Sequence, residues 1–253
     1  IPEGTPPLEE GENNINVSVT IDNITINITI VINIEGSGSD NPSDGLHQTV
    51  EEAQAMGFTF SPFGAGLKID SFENKQFKSE INIPEQIGDF KVLKIEDRAF
   101  SGQSNLTKIT LPSTITTIGS AAFQNCTNLE YINIPSSLTS IPNSKIKMEF
   151  STTLISCSPF MNCPKLHVKI DDGTTKILNE LFSGVHHGTS PYSFYSKAKA
   201  TIKSIEIPSS VTQIGDGALL NRMNASVEEI IIHNNEDAIA GAPWGANKVT
   251  WLG

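Results

Sequence analysis

The chain has 253 residues, 38% of them hydrophobic and 18% charged, with a formal net charge of -11. Nucleic-acid binders need clustered Lys and Arg to neutralise phosphates, so this surplus of carboxylates argues against a nucleic-acid partner. No run of about 18 apolar residues could span a bilayer as a helix, yet there is enough apolar material for the core of one elongated array or two compact domains.

The chain opens on Ile1-Pro2-Glu3, with neither an initiator Met nor a basic-then-apolar leader, and reads as a processed or truncated piece. Residues 15–34, INVSVTIDNITINITIVINI, alternate Ile or Val with Asn, Ser or Thr, which is the period of a β-strand. Asp22-Asn23 breaks the alternation where a two-residue turn would, so a β-hairpin is predicted within an N-terminal segment 1–35. Two strands alone are only marginally stable, so the hairpin must dock on something or belong to a truncated sheet. Residues 36–45, GSGSDNPSDG, read as a flexible linker. In TVEEAQAM, residues 49–56, Thr49 is an N-cap candidate, acidic residues come next in the first turn, and Gly57 is a stop. One short helix is therefore predicted inside segment 36–63, leading into the cap of a repeat array.

From residue 64 to 253 the sequence repeats itself. The clearest unit is LTKITLPSTITTIGSAAFQNCTN, Leu106 to Asn128, with the apolar skeleton Leu106, Ile109, Leu111, Ile115, Ile118, Ala122 and Phe123. Upstream the skeleton recurs as Ile81, Ile83, Pro84, Val92, Ile95, Ala99 and Phe100. Downstream, a third unit begins at Leu129, Ile132, Ile134, Pro135, Leu138 and Ile141 and resumes after an insertion at Ile155, Phe160 and Cys163. A fourth carries Leu166, Val168, Ile170, Ile177, Leu181 and Phe182, and a fifth Ile202, Ile205, Ile207, Pro208, Val211, Ile214, Gly215, Ala218 and Leu219. A sixth starts at Val227, Ile230 and Ile232. Such a unit cannot bury its own apolar face and must stack on copies of itself. The I-x-I-P piece predicts a short strand ended by proline, which has no N–H to give to a ladder. Alternation then sends Ile109, Leu111, Ile132, Ile134, Ile205 and Ile207 inward. It leaves Glu80, Asn82, Lys108, Thr110, Tyr131, Asn133, His167, Lys169, Ser204, Glu206, Glu229 and Ile231 on an outward face, the candidate ligand-binding surface.

The stretches LTKITLPSTITTIGSAAFQNC and SIEIPSSVTQIGDGAL resemble the leucine-rich repeats of the BspA-like family of bacterial and protist surface proteins. The close, Ala242-Pro243-Trp244-Gly245-Ala246 and then VTW at 249–251, is similar to that family's terminal repeat. The resemblance implies an α/β-type repeat solenoid: a right-handed leucine-rich repeat superhelix, with short strands on one face and irregular or short helical segments on the other, preceded here by the hairpin. It also implies an exported, extracellular or cell-surface protein, adhesive or ligand-binding and not an enzyme, whose partner is a host or microbial surface protein or glycan. A structural spacer presenting another domain is the alternative reading, and a hydrolase with a site between the insertions ranks after it. No cofactor is expected.

Cys126 and Cys163 stand three residues after the Phe of consecutive units and should lie one rung apart, close enough for a disulfide. Two buried thiols acting as small apolar side chains are preferred, and Cys157 in the insertion could also pair. His186-His187, and His167 with Asp171-Asp172, lack the spacing of a metal motif, so no metal site is expected. No G-x-S-x-G elbow is present to support a hydrolase. The insertions at 142–155 and 185–201 leave adjacent units, and the second presents Tyr192, Phe194 and Tyr195, which either anchor a partner or cover the side of the array. N-x-S/T sequons at Asn16, Asn23, Asn27, Asn105, Asn125 and Asn224 are read mostly as accidents of an Asn- and Thr-rich composition.

Overall fold

The computed structural model describes residues 11–21, 24–34, 47–142, 145–147, 154–156, 158–178, 181–182, 202–214, 227–236, 238–239 and 246–253. The chain divides into two compact units, Ile1–Ser43 and Asp44–Gly253. In the first, the period-two sequence forms two antiparallel strands, β1 (Gly11–Ile21) and β2 (Ile24–Ile34), with Ile21 opposite Ile24 and Ile15 opposite Ile30.

The second unit opens on β3 (His47–Gln48) and helix α1 (Val50–Met56). Thr49 and Glu52 make the reciprocal capping box: the Glu52 N–H donates to Thr49 Oγ1 at 3.1 Å, and the Thr49 N–H donates to Glu52 Oε2 at 2.9 Å. Gly57 closes the helix at φ 106°, and a Cβ there would sit 1.8 Å from the Glu73 carbonyl oxygen, so glycine is required on both counts. An antiparallel pair comes next, β4 (Phe58–Phe63) and β5 (Gly66–Phe72).

The repeats then supply β6 (Glu80–Asn82), β7 (Gln86–Ile87), β8 (Phe90–Ile95), β9 (Lys108–Thr110), β10 (Thr117–Ile118) and β11 (Tyr131–Ile134). After a short antiparallel pair, β12 (Lys145–Lys147) and β13 (Leu154–Ser156), come β14 (His167–Ile170), β15 (Lys176–Ile177), β16 (Ser204–Ile207), β17 (Gln213–Ile214), β18 (Glu229–Ile232) and β19 (Lys248–Trp251). The first strands of successive repeats form one seven-stranded sheet, ordered β19-β18-β16-β14-β11-β9-β6. Every neighbouring pair in it is parallel, as stacking of successive copies in chain order requires. Second strands also pair in parallel, β8 with β10 and β15 with β17. Ile155, expected to resume the third repeat, lies instead in β13 opposite Ile146, in an antiparallel pair within the insertion, and the repeat resumes at Phe160. The insertion at 185–201 lies outside the described residues.

Three ladders run along the stack and explain the repeat consensus. The first is aromatic. Phe72, Phe100, Phe123, Phe160 and Phe182 stack with successive ring centroids 5.1, 5.3, 5.5 and 5.7 Å apart, and Phe58 joins Phe72 at 4.9 Å. The sequence pattern starts the array at residue 64, but Phe58 extends its core upstream. The second ladder is of hydroxyls two residues after the proline position: Thr114 donates to Glu85 O, Ser137 to Ile115 O and Ser210 to Thr174 O, at 3.4, 2.7 and 2.8 Å. Pro-Ser/Thr-Ser/Thr therefore ends a strand and satisfies a carbonyl of the preceding turn at once. The third lies two residues after Phe100, Phe123 and Phe160, where Gly102, Asn125 and Asn162 have φ of 79°, 61° and 61°. Glycine and asparagine tolerate that left-handed turn better than other residues. There the Gly102 N–H reaches Gln124 O and the Asn125 N–H reaches Met161 O, tying adjacent turns together.

Cys126 and Cys163 are buried free thiols. Each donates across to the preceding repeat, Cys126 to Phe100 O and Cys163 to Phe123 O, both at 3.1 Å. Burial pushes the Cys126 thiol up to about 12, and burial raises Cys163 also, so neither forms the reactive thiolate at neutral pH. Neither thiol of the folded chain is expected to react with a maleimide probe on the timescale on which both react in urea, as mapped by peptide mass spectrometry. Cys157 lies outside the described residues. Gly119, after Ile118 in the clearest repeat, has a spatial reason: a Cβ would stand 2.5 Å from Asp97 N and 2.7 Å from the Glu96 carbonyl carbon.

Candidate binding surface

Because the first strands pair in register, their outward residues fall into two rows across the sheet. One row reads Glu80, Lys108, Tyr131, His167, Ser204, Glu229, Lys248. In the other, Asn82 pairs with Thr110, Asn133 with Lys169, Lys169 with Glu206, Glu206 with Ile231 and Ile231 with Thr250. With strands about 4.8 Å apart, seven of them present a face about 29 Å long. Beneath it Ile81, Ile109, Ile132, Ile134, Val168, Ile170, Ile205, Ile207, Ile230 and Ile232 are buried, as the alternation in the sequence predicts. The outward set read from the sequence lacks Lys248 and Thr250, although the alternation in KVTW carries the same signal.

Neighbouring side chains interact along the rows. Lys108 Nζ lies 3.7 Å from Glu80 and 5.7 Å from the centre of the Tyr131 ring. His167 Nδ1 and Ser204 Oγ share a hydrogen bond of 2.7 Å. Glu206 meets His233, on the adjoining turn, at 2.9 Å. Lys248 at 2.6 Å and Thr250 at 2.7 Å both donate to Glu229, and these bonds hold its carboxyl below the ordinary glutamate range. Lys108, His167 and Lys169 are exposed, with Thr110, Tyr131, Ser204 and Glu206 half-buried.

Asn133 departs from the expectation of an exposed residue: it is 6% exposed. Its Oδ1 accepts from the Leu111 N–H at 2.7 Å, while Nδ2 donates to Leu111 O at 3.0 Å and to Asp171 Oδ2 at 2.8 Å. Strand β9 stops at Thr110, so the peptide groups of Leu111 lack a strand partner and the Asn133 amide takes that place. Asp171 stands where other repeats have proline. Burial raises its carboxyl above the usual aspartate value, opposed by the Asn133 bond and by Lys169. Both residues tie neighbouring interior strands together where the strands end.

The metal candidates do not assemble: His167 bonds Ser204 and Asp171 bonds Asn133, and among the described residues no three His, Cys, Asp or Glu side chains converge on a point that could hold an ion. His186, His187, Tyr192, Phe194 and Tyr195 lie outside the described residues.

A charged cluster sits apart from the strand face, between β5 and β8. Lys68 Nζ is 2.6 Å from Glu96 and 3.1 Å from Asp70, and Lys94 Nζ is 3.0 Å from Glu96 and 5.2 Å from the Phe63 ring centre. Burial pushes the Glu96 carboxyl up, but bonds from Lys68, the Asp97 N–H and Lys94 outweigh it and hold the group at about 2. A carboxyl depressed by folding stabilises the native state above its unfolded value of 4.5, and that contribution disappears as pH falls from 4.5 toward 2. Urea titrations over that interval should show a shallower loss of stability for Glu96→Gln than for the unsubstituted chain; parallel curves would show that Glu96 contributes nothing to the acid limb.

The family model for the BspA type leucine rich repeat region matches residues 67–187 and 190–242, in six copies. The chain belongs to the BspA-type leucine-rich repeat family. Among solved structures, the leucine rich repeat protein of T. pallidum is similar in fold, at a TM-score of 0.50 and 20% identity, over 78% of this chain and 80% of that one. A leucine rich cell surface protein from Faecalibacterium prausnitzii is 17% identical, over 76% of this chain and 70% of that one, at a TM-score of 0.36. Comparison with curated proteins gives no match. Among the described residues, no helix of this BspA-type chain is long and apolar enough to cross a membrane.

Proposed function

We propose that this chain is an exported cell-surface binding module, without catalytic activity, whose strand face attaches to a host or microbial surface protein or glycan. The observation that carries the reading is the pair of in-register rows, which fixes Lys108, Thr110, Tyr131, His167, Lys169, Ser204 and Glu206 on one rigid sheet. The strand backbone is already ordered, so binding through this face costs no backbone ordering, and a mixed surface of charge, hydroxyl and one aromatic ring serves recognition well. Membership of the BspA-type family supports placement outside the cell. Tyr192, Phe194 and Tyr195 of the second insertion are proposed as a further contact.

Solid-phase binding of the purified chain to immobilised extracellular-matrix proteins, bacterial cells and a glycan array tests the reading. Saturable attachment to at least one class is the expected result, and uniformly negative results would remove it. The pairing of Glu80 with Lys108 and of Glu229 with Lys248 favours a second reading, a spacer whose surface charges satisfy one another. It gains if attachment is carried by a neighbouring domain and survives deletion of residues 64–253.

A further inference from the structure

The strand face satisfies nearly all of its own charge. Glu80 meets Lys108 at 3.7 Å, Glu206 turns to His233 at 2.9 Å and Glu229 holds Lys248 at 2.6 Å. Lys169 is the exception. It is exposed and, among the described residues, forms no ion pair. Its strand, β14, is the middle one of the seven. Register sets Asn133 and Glu206 on either side of it, and both are engaged elsewhere, Asn133 with Leu111 and Asp171 and Glu206 with His233. Asp171 is close enough to feel the Lys169 charge, but its Oδ2 accepts from Asn133 and no bond joins it to the ammonium. Groups that bond hydroxyls surround this cation. His167, two residues earlier, shares its Nδ1 with Ser204 Oγ at 2.7 Å and leaves Nε2 without a partner among the described residues. Tyr131 lies opposite His167 on β11. With strands about 4.8 Å apart and about 3.3 Å per residue, the Cα atoms of Tyr131, His167 and Ser204 all stand within about 8 Å of that of Lys169.

We propose that this face takes a carboxylated sugar, the Lys169 ammonium meeting its carboxylate while His167 and Ser204 bond its hydroxyls and Tyr131 packs on its ring. The inference rests on the strand face being the binding surface and narrows the partner to one class. Charge selects the anion: a carboxylate offered to Lys169 completes the one pairing left open on the face, whereas a cation would meet Lys169 unopposed. Composition selects a sugar over a protein. Protein partners are anchored by Trp, Arg and an apolar centre, but the outward rows hold no Arg or Trp and one aliphatic side chain, Ile231. Hydroxyl, imidazole and ammonium groups beside a single phenol ring match a ligand that is itself mostly hydroxyls on an apolar ring. The number of charges selects a single carboxylate over a densely sulfated chain. Polyanions are held by rows of cations, and here one open cation stands on a chain of formal net charge -11. Sialic and uronic acids both supply the carboxylate.

Calorimetric titration of the full chain with a sialic-acid-capped oligosaccharide, a glucuronic-acid-capped one and, for each, the same sugar with its carboxyl reduced to an alcohol tests this. One carboxylated sugar is expected to bind, and which of the two binds identifies the source. Reduction of its carboxyl and Lys169→Gln are each expected to cost about tenfold or more in affinity. Lys169→Arg, which keeps the charge, retains most of the affinity. Lys176→Gln, on β15 outside the rows, changes nothing. Binding of neither sugar, equal binding of the acid and its reduced form, or a loss in Lys169→Gln no greater than in Lys176→Gln overturns the proposal. So does tighter binding of a heparin fragment that both lysine variants weaken equally. A chain that fails these titrations yet attaches through Lys108, Tyr131 and His167 to a protein or a neutral glycan overturns the carboxylate inference alone; absence of that attachment as well removes the strand-face reading with it.

Discussion

Phe123→Ala is expected to destabilise the repeat unit by about 3–5 kcal/mol, the range for removing a fully buried aromatic ring. Phe123 is 0% exposed and stands in the middle of the aromatic ladder, 5.3 Å from Phe100 and 5.5 Å from Phe160. Removing it loses two ring contacts as well as buried area, and the backbone around the gap is restrained. The Phe123 N–H donates to Pro159 O at 2.8 Å, Phe123 O accepts the Cys163 thiol, and Cys126 is bonded to Phe100. A site held on several sides collapses little, which places it toward the costly end of the range. Urea denaturation monitored by circular dichroism measures the effect. Phe90, 55% exposed on β8, is the control, and its replacement by alanine should change stability by no more than about 0.5 kcal/mol. Similar effects at the two positions would mean that the ladder does not organise the core.

Asn133→Leu is expected to destabilise by about 3 kcal/mol, although it puts an apolar side chain of similar size at a buried position. The Leu111 N–H, Leu111 O and Asp171 each lose a partner, and an unsatisfied buried polar group costs about 1–3 kcal/mol. The variant should also reveal the state of Asp171. Loss of the Asn133 bond leaves burial less opposed, so the Asp171 carboxyl moves further above its ordinary value. A carboxyl whose pKa is raised by folding destabilises the native state when ionised, so the deficit of Asn133→Leu should shrink as pH falls through the Asp171 titration. Carbon-detected NMR of the aspartate carboxyls tests that step. A neutral or stabilising Asn133→Leu would show that the peptide groups of Leu111 do not depend on the Asn133 amide.

These two positions mark how far the sequence can be read. The strand positions, the inward isoleucines and the helix with its Thr49 cap and Gly57 stop are local patterns, set by the period of a strand and the needs of a helix end. The structure forms them where the pattern places them. Alternation assigns Asn133 to the outward row, where its register puts it, but does not show its burial, which depends on the neighbouring strand ending one residue early. That mismatch exists only between rungs. Phe58 and Phe72 escape the repeat pattern for a related reason: they come from an antiparallel pair without the I-x-I-P skeleton, and only the ring spacing shows that they continue the ladder. Asn125 and Asn162 carry a readable turn signal, but Arg98 and Ala121 adopt φ of 60° and 54° with none. The outward rows are legible as a set. Their lateral order, which puts Tyr131 between Lys108 and His167, comes from register and completes the description of the candidate surface.

The most direct test of that surface is quantitative attachment of two triple variants to whichever immobilised matrix protein, bacterial cell or glycan binds the unsubstituted chain. Lys108→Ala, Tyr131→Ala and His167→Ala together remove the centre of one row. Ser113→Ala, Ser136→Ala and Ser209→Ala remove as many exposed side chains from the adjoining turns. If the rows are the binding surface, the row variant loses at least tenfold in affinity, about 1.4 kcal/mol, and the turn variant loses none. Equal affinity for both, with the fold of each intact by circular dichroism, would contradict it.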